Sequence, residues 1–143
     1  MNAKILIVDD DADIVMMLED RLRASGYETI IAKDGQEALE LIDPNALPDL
    51  ILMDHKMPKL SGVDCARQLK KLYPLQKIVL ISGCFGVDDD GYLAAVRYLF
   101  TGIILKPFQI KEVVGTVQYA LDAKQEYTAR SQSRHLTQEL TGV

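Results

Sequence analysis

Short apolar bursts rich in β-branched residues recur along the chain, each followed by a longer stretch whose apolar positions repeat with helical spacing. Strands are predicted at Ile5-Leu6-Ile7-Val8, Thr29-Ile30-Ile31, Leu50-Ile51-Leu52-Met53, Ile78-Val79-Leu80-Ile81 and Ile103-Ile104-Leu105. Several are apolar throughout, the pattern of strands covered by helices on both faces. Five strand-then-helix units in succession predict one α/β domain, a doubly wound five-stranded parallel sheet of the (βα)5 kind.

The helical stretches carry their own punctuation. The first places Ile14, Met17, Leu18 and Leu22 at i, i+3, i+4 and i+8, and Gly26 marks its C-terminal end. The second opens with Asp34 and Glu37 at capping-box spacing, carries Ala38, Leu39, Leu41 and Ile42, and stops before Pro44. The third sets Cys65, Ala66, Leu69 and Leu72 on one face and halts at Pro74. The fourth is the weakest pattern, since Gly83, Gly86 and Gly91 surround Asp88-Asp89-Asp90 before Tyr92-Leu93-Ala94-Ala95-Val96 restores a helical repeat. The fifth follows Pro107 with Ile110, Val113, Val114, Val117 and Leu121 in one stripe. The domain is therefore expected to span residues 1–122, with 123–143 a polar tail that extends the last helix or serves as a linker.

Composition narrows the function. At 143 residues the chain can bury one sizeable core. Its formal net charge of -5 supplies no positive field to draw it onto nucleic acid or an anionic membrane. No apolar run approaches the roughly 20 residues that span a bilayer. Met1-Asn2-Ala3-Lys4 leads into an apolar run that ends at aspartates, unlike a secretory signal, so a cytoplasmic location is expected. Cys65 and Cys84 have neither disulfide-framework nor zinc spacing and are expected to be free thiols.

In an open parallel sheet, functional groups gather at the carboxyl ends of the strands. The residues that leave those ends form a set: Asp9-Asp10-Asp11 after the first strand, Asp54 after the third, Ser82 after the fourth and Lys106-Pro107 after the fifth. Aspartates crowded on one rim raise each other's pKa unless a cation compensates. Mg²⁺ suits that role, because it takes one or two carboxylates and keeps water positions open to a phosphate oxygen. Asp9 and Asp10 are the candidate ligands. Asp54 is then a candidate nucleophile towards phosphorus, with Lys106 neutralising one phosphoryl oxygen and Ser82 hydrogen-bonding another.

Taken in order, these motifs resemble the response-regulator receiver family of two-component signalling, over roughly residues 3 to 122. Ile5-Leu6-Ile7-Val8-Asp9-Asp10-Asp11 is similar to the family's first strand and acidic pair. Asp54 with Met57-Pro58 and Gly62 resembles its phosphoacceptor and following turn, and Ser82-Gly83 and Lys106-Pro107-Phe108 its hydroxyl and lysine motifs. The resemblance implies a CheY-like, flavodoxin-like receiver fold and a Mg²⁺-dependent transfer of phosphoryl to Asp54 from a histidine kinase or histidine phosphotransfer domain. It implies that the backbone carbonyl of Lys56 joins Asp9, Asp10 and Asp54 around the metal. It also implies a downstream protein target or attached output domain, and allows a homodimer through the fourth helix, fifth strand and fifth helix. One position departs from the family: Ile103 stands where an aromatic switch residue is usual, so signal readout is expected to be altered while the chemistry is kept.

Plainer roles account for the neighbouring residues. Asp11 is expected to cap the first helix, with Asp13 in its first turn. His55 follows Asp54 along a strand, so the two side chains should diverge. His135 lies in the polar tail, and Asp88-Asp89-Asp90 reads as a solvated helix start. Two other functions compete. A haloacid-dehalogenase-type phosphohydrolase would use Asp9 and Asp11, but Asp13 is atypical there and Asp54 is left without a role. A calcium loop from Asp9 fails because Ile14 stands where glycine is needed and Asp20 where glutamate is. The remaining rival is a receiver-like module that binds partners without regulated phosphorylation.

Overall fold

A computed structural model describes residues 2–83 and 89–123, and for Asp89 and Asp90 the backbone alone. Cys84, Gly86, Asp88, His135 and the polar tail beyond Ala123 lie outside the described residues. Five parallel strands form one sheet: β1 (Lys4–Val8), β2 (Glu28–Ala32), β3 (Leu50–Asp54), β4 (Ile78–Ser82) and β5 (Gly102–Leu105). Between them run α1 (Ala12–Ala24), α2 (Gly35–Leu41), α3 (Gly62–Leu72) and α4 (Asp89–Val96), and α5 (Ile110–Asp122) follows β5. The doubly wound (βα)5 architecture is the one the hydrophobic pattern predicts.

The strand order is β2-β1-β3-β4-β5. Successive connections therefore wind in opposite directions from β1, and the carboxyl ends of β1 and β3 flank the switch point where such sheets form a crevice. Alternate strand residues serve two cores. Leu6, Val8, Ile51, Met53, Ile78 and Leu80 pack towards α2 and α3, while Ile5, Ile7, Leu50, Leu52, Val79 and Ile81 pack towards α1 and α5. This two-sided burial explains strands without polar alternation. Among the described residues no helix is long and apolar enough to cross a membrane.

Helix phases depart from the sequence pattern in particular places. In α1 the buried residues are Val15, Leu18 and Leu22; Ile14 is half-buried and Met17 is 43% exposed. Residues 14–18 are all apolar, so the contact with the sheet, rather than the repeat, sets which of them turn inward. Leu72, expected on the buried face of α3, is 64% exposed at that helix's last residue, and Leu41 at the end of α2 is also exposed. The expected capping box of α2 is half formed: Asp34 Oδ1 accepts the Glu37 N–H at 2.8 Å, but the Glu37 carboxylate reaches past Asp34 to the Lys33 N–H at 3.3 Å. Gly26, with φ 94°, follows the C-cap Ser25 of α1 in the left-handed region that favours glycine. Cys65 is a free thiol, as expected, and burial pushes its pKa up to about 12, with Asp34 adding to the shift.

Gly62 ties the fold to the crevice. Its N–H donates to the His55 carbonyl at 2.8 Å, closing the loop after β3 at the first residue of α3. A Cβ built there would collide with the Asp54 carbonyl oxygen and lie 2.9 Å from His55 Cα. Since that obstruction is backbone, no rotamer relieves it. Gly62→Ala is therefore expected to lower stability by about 2–3 kcal/mol; an unchanged urea midpoint would show that the loop yields freely and that glycine is not needed.

Candidate functional site

Each strand on the crevice side is carried to the rim by one further ladder bond. Asp9 N donates to Ala32 O at 3.1 Å, His55 N to Ile81 O at 3.0 Å and Lys106 N to Ser82 O at 2.7 Å. Backbone pairing thus delivers the strand-end residues to one edge as fixed groups. Asp9, Asp54 and Ser82 are 3%, 4% and 1% exposed, whereas Asp10 is open to solvent.

The predicted carboxylates do meet. A carboxylate oxygen from each of Asp9, Asp10 and Asp54 lies within 4.8 Å of the other two. Lys106 Nζ stands 2.9 Å from Asp54 Oδ1. The Lys106–Pro107 peptide bond is cis. Ser82 Oγ and Asp9 Oδ2 are buried without a hydrogen-bond partner among the described residues. Unpaired buried oxygens are costly, so both mark the crevice as built for a group that supplies a cation and acceptor atoms. The donor set fits Mg²⁺: clustered carboxylate oxygens with no nitrogen or sulfur among them in the described residues.

The electrostatics follow from this crowding. Burial pushes Asp9 up to about 6; the Asp11 N–H and Lys106 pull against that shift, and the charges of Asp54 and Asp10 add to it. For Lys106, burial alone would lower the pKa, but the hydrogen bond and charge of Asp54, with Asp9 and Asp11, hold it above the ordinary lysine value. The Lys106 ammonium therefore stays charged throughout the neutral range.

Other sequence expectations sort cleanly. Asp11 is the N-cap of α1, its Oδ1 accepting from Asp13 N at 3.0 Å and Ile14 N at 3.3 Å, and Asp13 lies in the first turn. That use of Asp11 removes the second acid which the phosphohydrolase reading needs beside Asp9. Among the described residues His55 does not join the carboxylate cluster. Ile103 is half-buried and packs on the core between the sheet and α2 and α3. Two features were not read from sequence: the Asp11 N–H donates to Asp9 Oδ1 at 2.9 Å, and Gly62 passes against the Asp54 backbone. The glycine opening α3 was the visible signal for the second; the first depends on turn geometry.

An acidic crevice at the switch point of a doubly wound parallel sheet, with a lysine paired to its innermost aspartate, places the chain among CheY-like α/β folds. The chain belongs to the response regulator receiver domain family, whose model matches residues 5–118. It is 36% identical over 129 residues to the transcriptional regulatory protein PdtaR of Mycobacterium tuberculosis, covering 88% of this chain and 60% of that protein. It is also 36% identical over 124 residues to the alkaline phosphatase synthesis transcriptional regulatory protein PhoP of Bacillus subtilis, covering 85% and 49%. The chain thus spans about half to three-fifths of the length of these curated relatives. Among solved structures it is similar to a CheY-like receiver domain protein from Methanospirillum hungatei JF-1, with a TM-score of 0.77, 28% identity and coverage of 89% of this chain and 98% of that one. The response regulator TrrA of Thermotoga maritima, solved in complex with Mg²⁺ and BeF, superposes with a TM-score of 0.70 at 28% identity, covering 81% and 96%.

The raised pKa of Asp9 has a thermodynamic sign. A carboxyl whose folded pKa lies near 6, above the ordinary value of about 3.9, contributes stability that is full below pH ~4 and is lost as pH rises through ~6. Asn at this position keeps an oxygen for the Asp11 N–H and removes the charge. Asp9→Asn is accordingly expected to stabilise the metal-free protein at pH 7.5 by on the order of 1–3 kcal/mol, with the gap closing towards pH 4. Urea titrations in EDTA across that range check it, and a pH-independent gap would contradict it.

Proposed function

We propose that Asp54 is the phosphoacceptor of this receiver domain, loaded from the phosphohistidine of a partner histidine kinase or histidine phosphotransfer protein with Mg²⁺ held by Asp9, Asp10, Asp54 and the Lys56 carbonyl. The observation that carries the reading is the pairing of a 4% exposed Asp54 with Lys106 at 2.9 Å beside two further carboxylates. In the transfer, an Asp54 carboxylate oxygen forms a bond to phosphorus as the P–N bond breaks and its electron pair returns to the imidazole. Mg²⁺, when bound, neutralises the negative charge that otherwise repels an incoming phosphoryl group.

The chain's own residues supply the rest. Lys106 moves from the carboxylate to a phosphoryl oxygen as charge builds there, and the Ser82 hydroxyl, without a partner among the described residues, donates to another. The nucleophile starts desolvated, because Asp54 sits beneath the rim. Downstream, the signal passes to an output domain or protein target in the cytoplasm. Leu105 and Tyr119, 56% and 70% exposed, leave apolar surface on β5 and α5 for that partner or for a second copy of the chain.

Incubation with Mg²⁺ and a small phosphodonor such as phosphoramidate is expected to add one phosphoryl group by intact mass, to leave Asp54→Asn unmodified and to stall in EDTA. Lys106→Met should slow the reaction by on the order of 10²-fold. An adduct that persists in Asp54→Asn moves the acceptor elsewhere. No adduct at all favours the phosphorylation-independent module.

A further inference from the structure

The three consecutive aspartates after β1 have three different surroundings. Asp9 is buried, Asp10 is solvent-exposed, and Asp11 is exposed yet joined to both of its neighbours' elements. The Asp11 side chain binds the first turn of α1, accepting from Asp13 N and Ile14 N. Its backbone N–H donates to Asp9 Oδ1 at 2.9 Å. One residue thus links the helix start to a buried carboxylate.

That link occupies one of the two oxygens of Asp9. The terminal torsion of aspartate is broad, so a free carboxylate rotates readily between orientations. Here Oδ1 is held by the Asp11 N–H, and Oδ2 is left buried with no partner among the described residues. A carboxylate presented in this way offers one oxygen to a cation and keeps the other occupied. Hydrogen bonds of this outer kind orient ligands, and losing them weakens metal affinity about 10–100-fold.

We propose that Asp11 is a positioning residue for the metal ligand Asp9: its side-chain cap on α1 holds the turn in which its own N–H directs Asp9 Oδ2 to the cation. The inference rests on the reading of Asp9, Asp10 and Asp54 as a Mg²⁺ site. Asp11 is not itself a ligand, because its carboxylate belongs to the cap. Its negative charge is a second route by which it acts on a cation nearby, so neutral residues that still cap separate the two effects.

The test measures Mg²⁺ affinity by isothermal titration calorimetry on the full chain, and amide hydrogen exchange at residue 11 in EDTA. Asp11→Ala, which cannot cap, is expected to weaken Mg²⁺ binding about 10-fold and to lose protection of its own amide in the metal-free protein. Asp11→Asn and Asp11→Ser, which cap without charge, should stay within about threefold of wild type and keep that amide protected. Should Asp11→Ala fail to fold by circular dichroism, Asp11→Gly replaces it, since glycine is tolerated at N-caps but has no side-chain acceptor. Wild-type affinity in the variant without an acceptor overturns the proposal, and so does an equal loss in all of the variants, which marks a charge effect alone. A wild-type chain that does not bind Mg²⁺, or an Asp9→Asn variant that binds it undiminished, overturns the metal reading and the role of Asp11 with it.

Discussion

Like charges pressed together at the end of a sheet are the constraint around which this molecule is organised. Two unit charges about 4 Å apart repel by roughly 4 kcal/mol at the effective dielectric of a protein rim, and oxygens of three carboxylates lie within 4.8 Å here. Lys106 pairs with one of them at 2.9 Å and leaves a residual negative charge. Such a cluster persists because its members cannot move apart. Asp9 and Asp54 leave β1 and β3, whose apolar residues are buried on both faces, and the ladder bonds at Asp9, His55 and Lys106 carry that rigidity to the rim. Apolar burial in the two cores thus holds in place a site that repels itself.

Much of this was legible in the sequence, for a geometric reason. Parallel strands all present their carboxyl ends at one edge, so reading Asp9, Asp10, Asp54, Ser82 and Lys106 off the ends of four apolar bursts amounts to reading their proximity. The helices were less legible where apolar residues run together. Ile14 through Leu18 offer several overlapping stripes, and the docking of α1 selected Val15 over Met17. Leu72 matched a helical repeat but lies at the end of α3, where exposure replaces contact.

Within the site, what sequence could not convey was the division of labour among equal residue types. Asp9, Asp10 and Asp11 are identical letters, yet one is sealed beneath the rim, one faces water and one caps α1. Those differences come from the backbone turn between β1 and α1. The same holds for Gly62, whose requirement follows from how closely its Cα passes the Asp54 carbonyl.

Ile103 shows how the crevice connects to the rest of β5 in this chain. It pairs with Leu80 in the β4–β5 register and packs half-buried against the core on the α2 and α3 side. A β-branched side chain is restricted at χ1, so it has a smaller rotamer change to offer than an aromatic ring. Polar links also join the crevice to β5. Lys106 is bonded through its N–H to the Ser82 carbonyl at 2.7 Å and through Nζ to Asp54 at 2.9 Å. Lys106 thus touches both Ser82 and Asp54, and it directly follows Leu105, whose side chain is 56% exposed. At β5 the charged crevice thus adjoins backbone pairing, one ion pair and the packed side chain of Ile103.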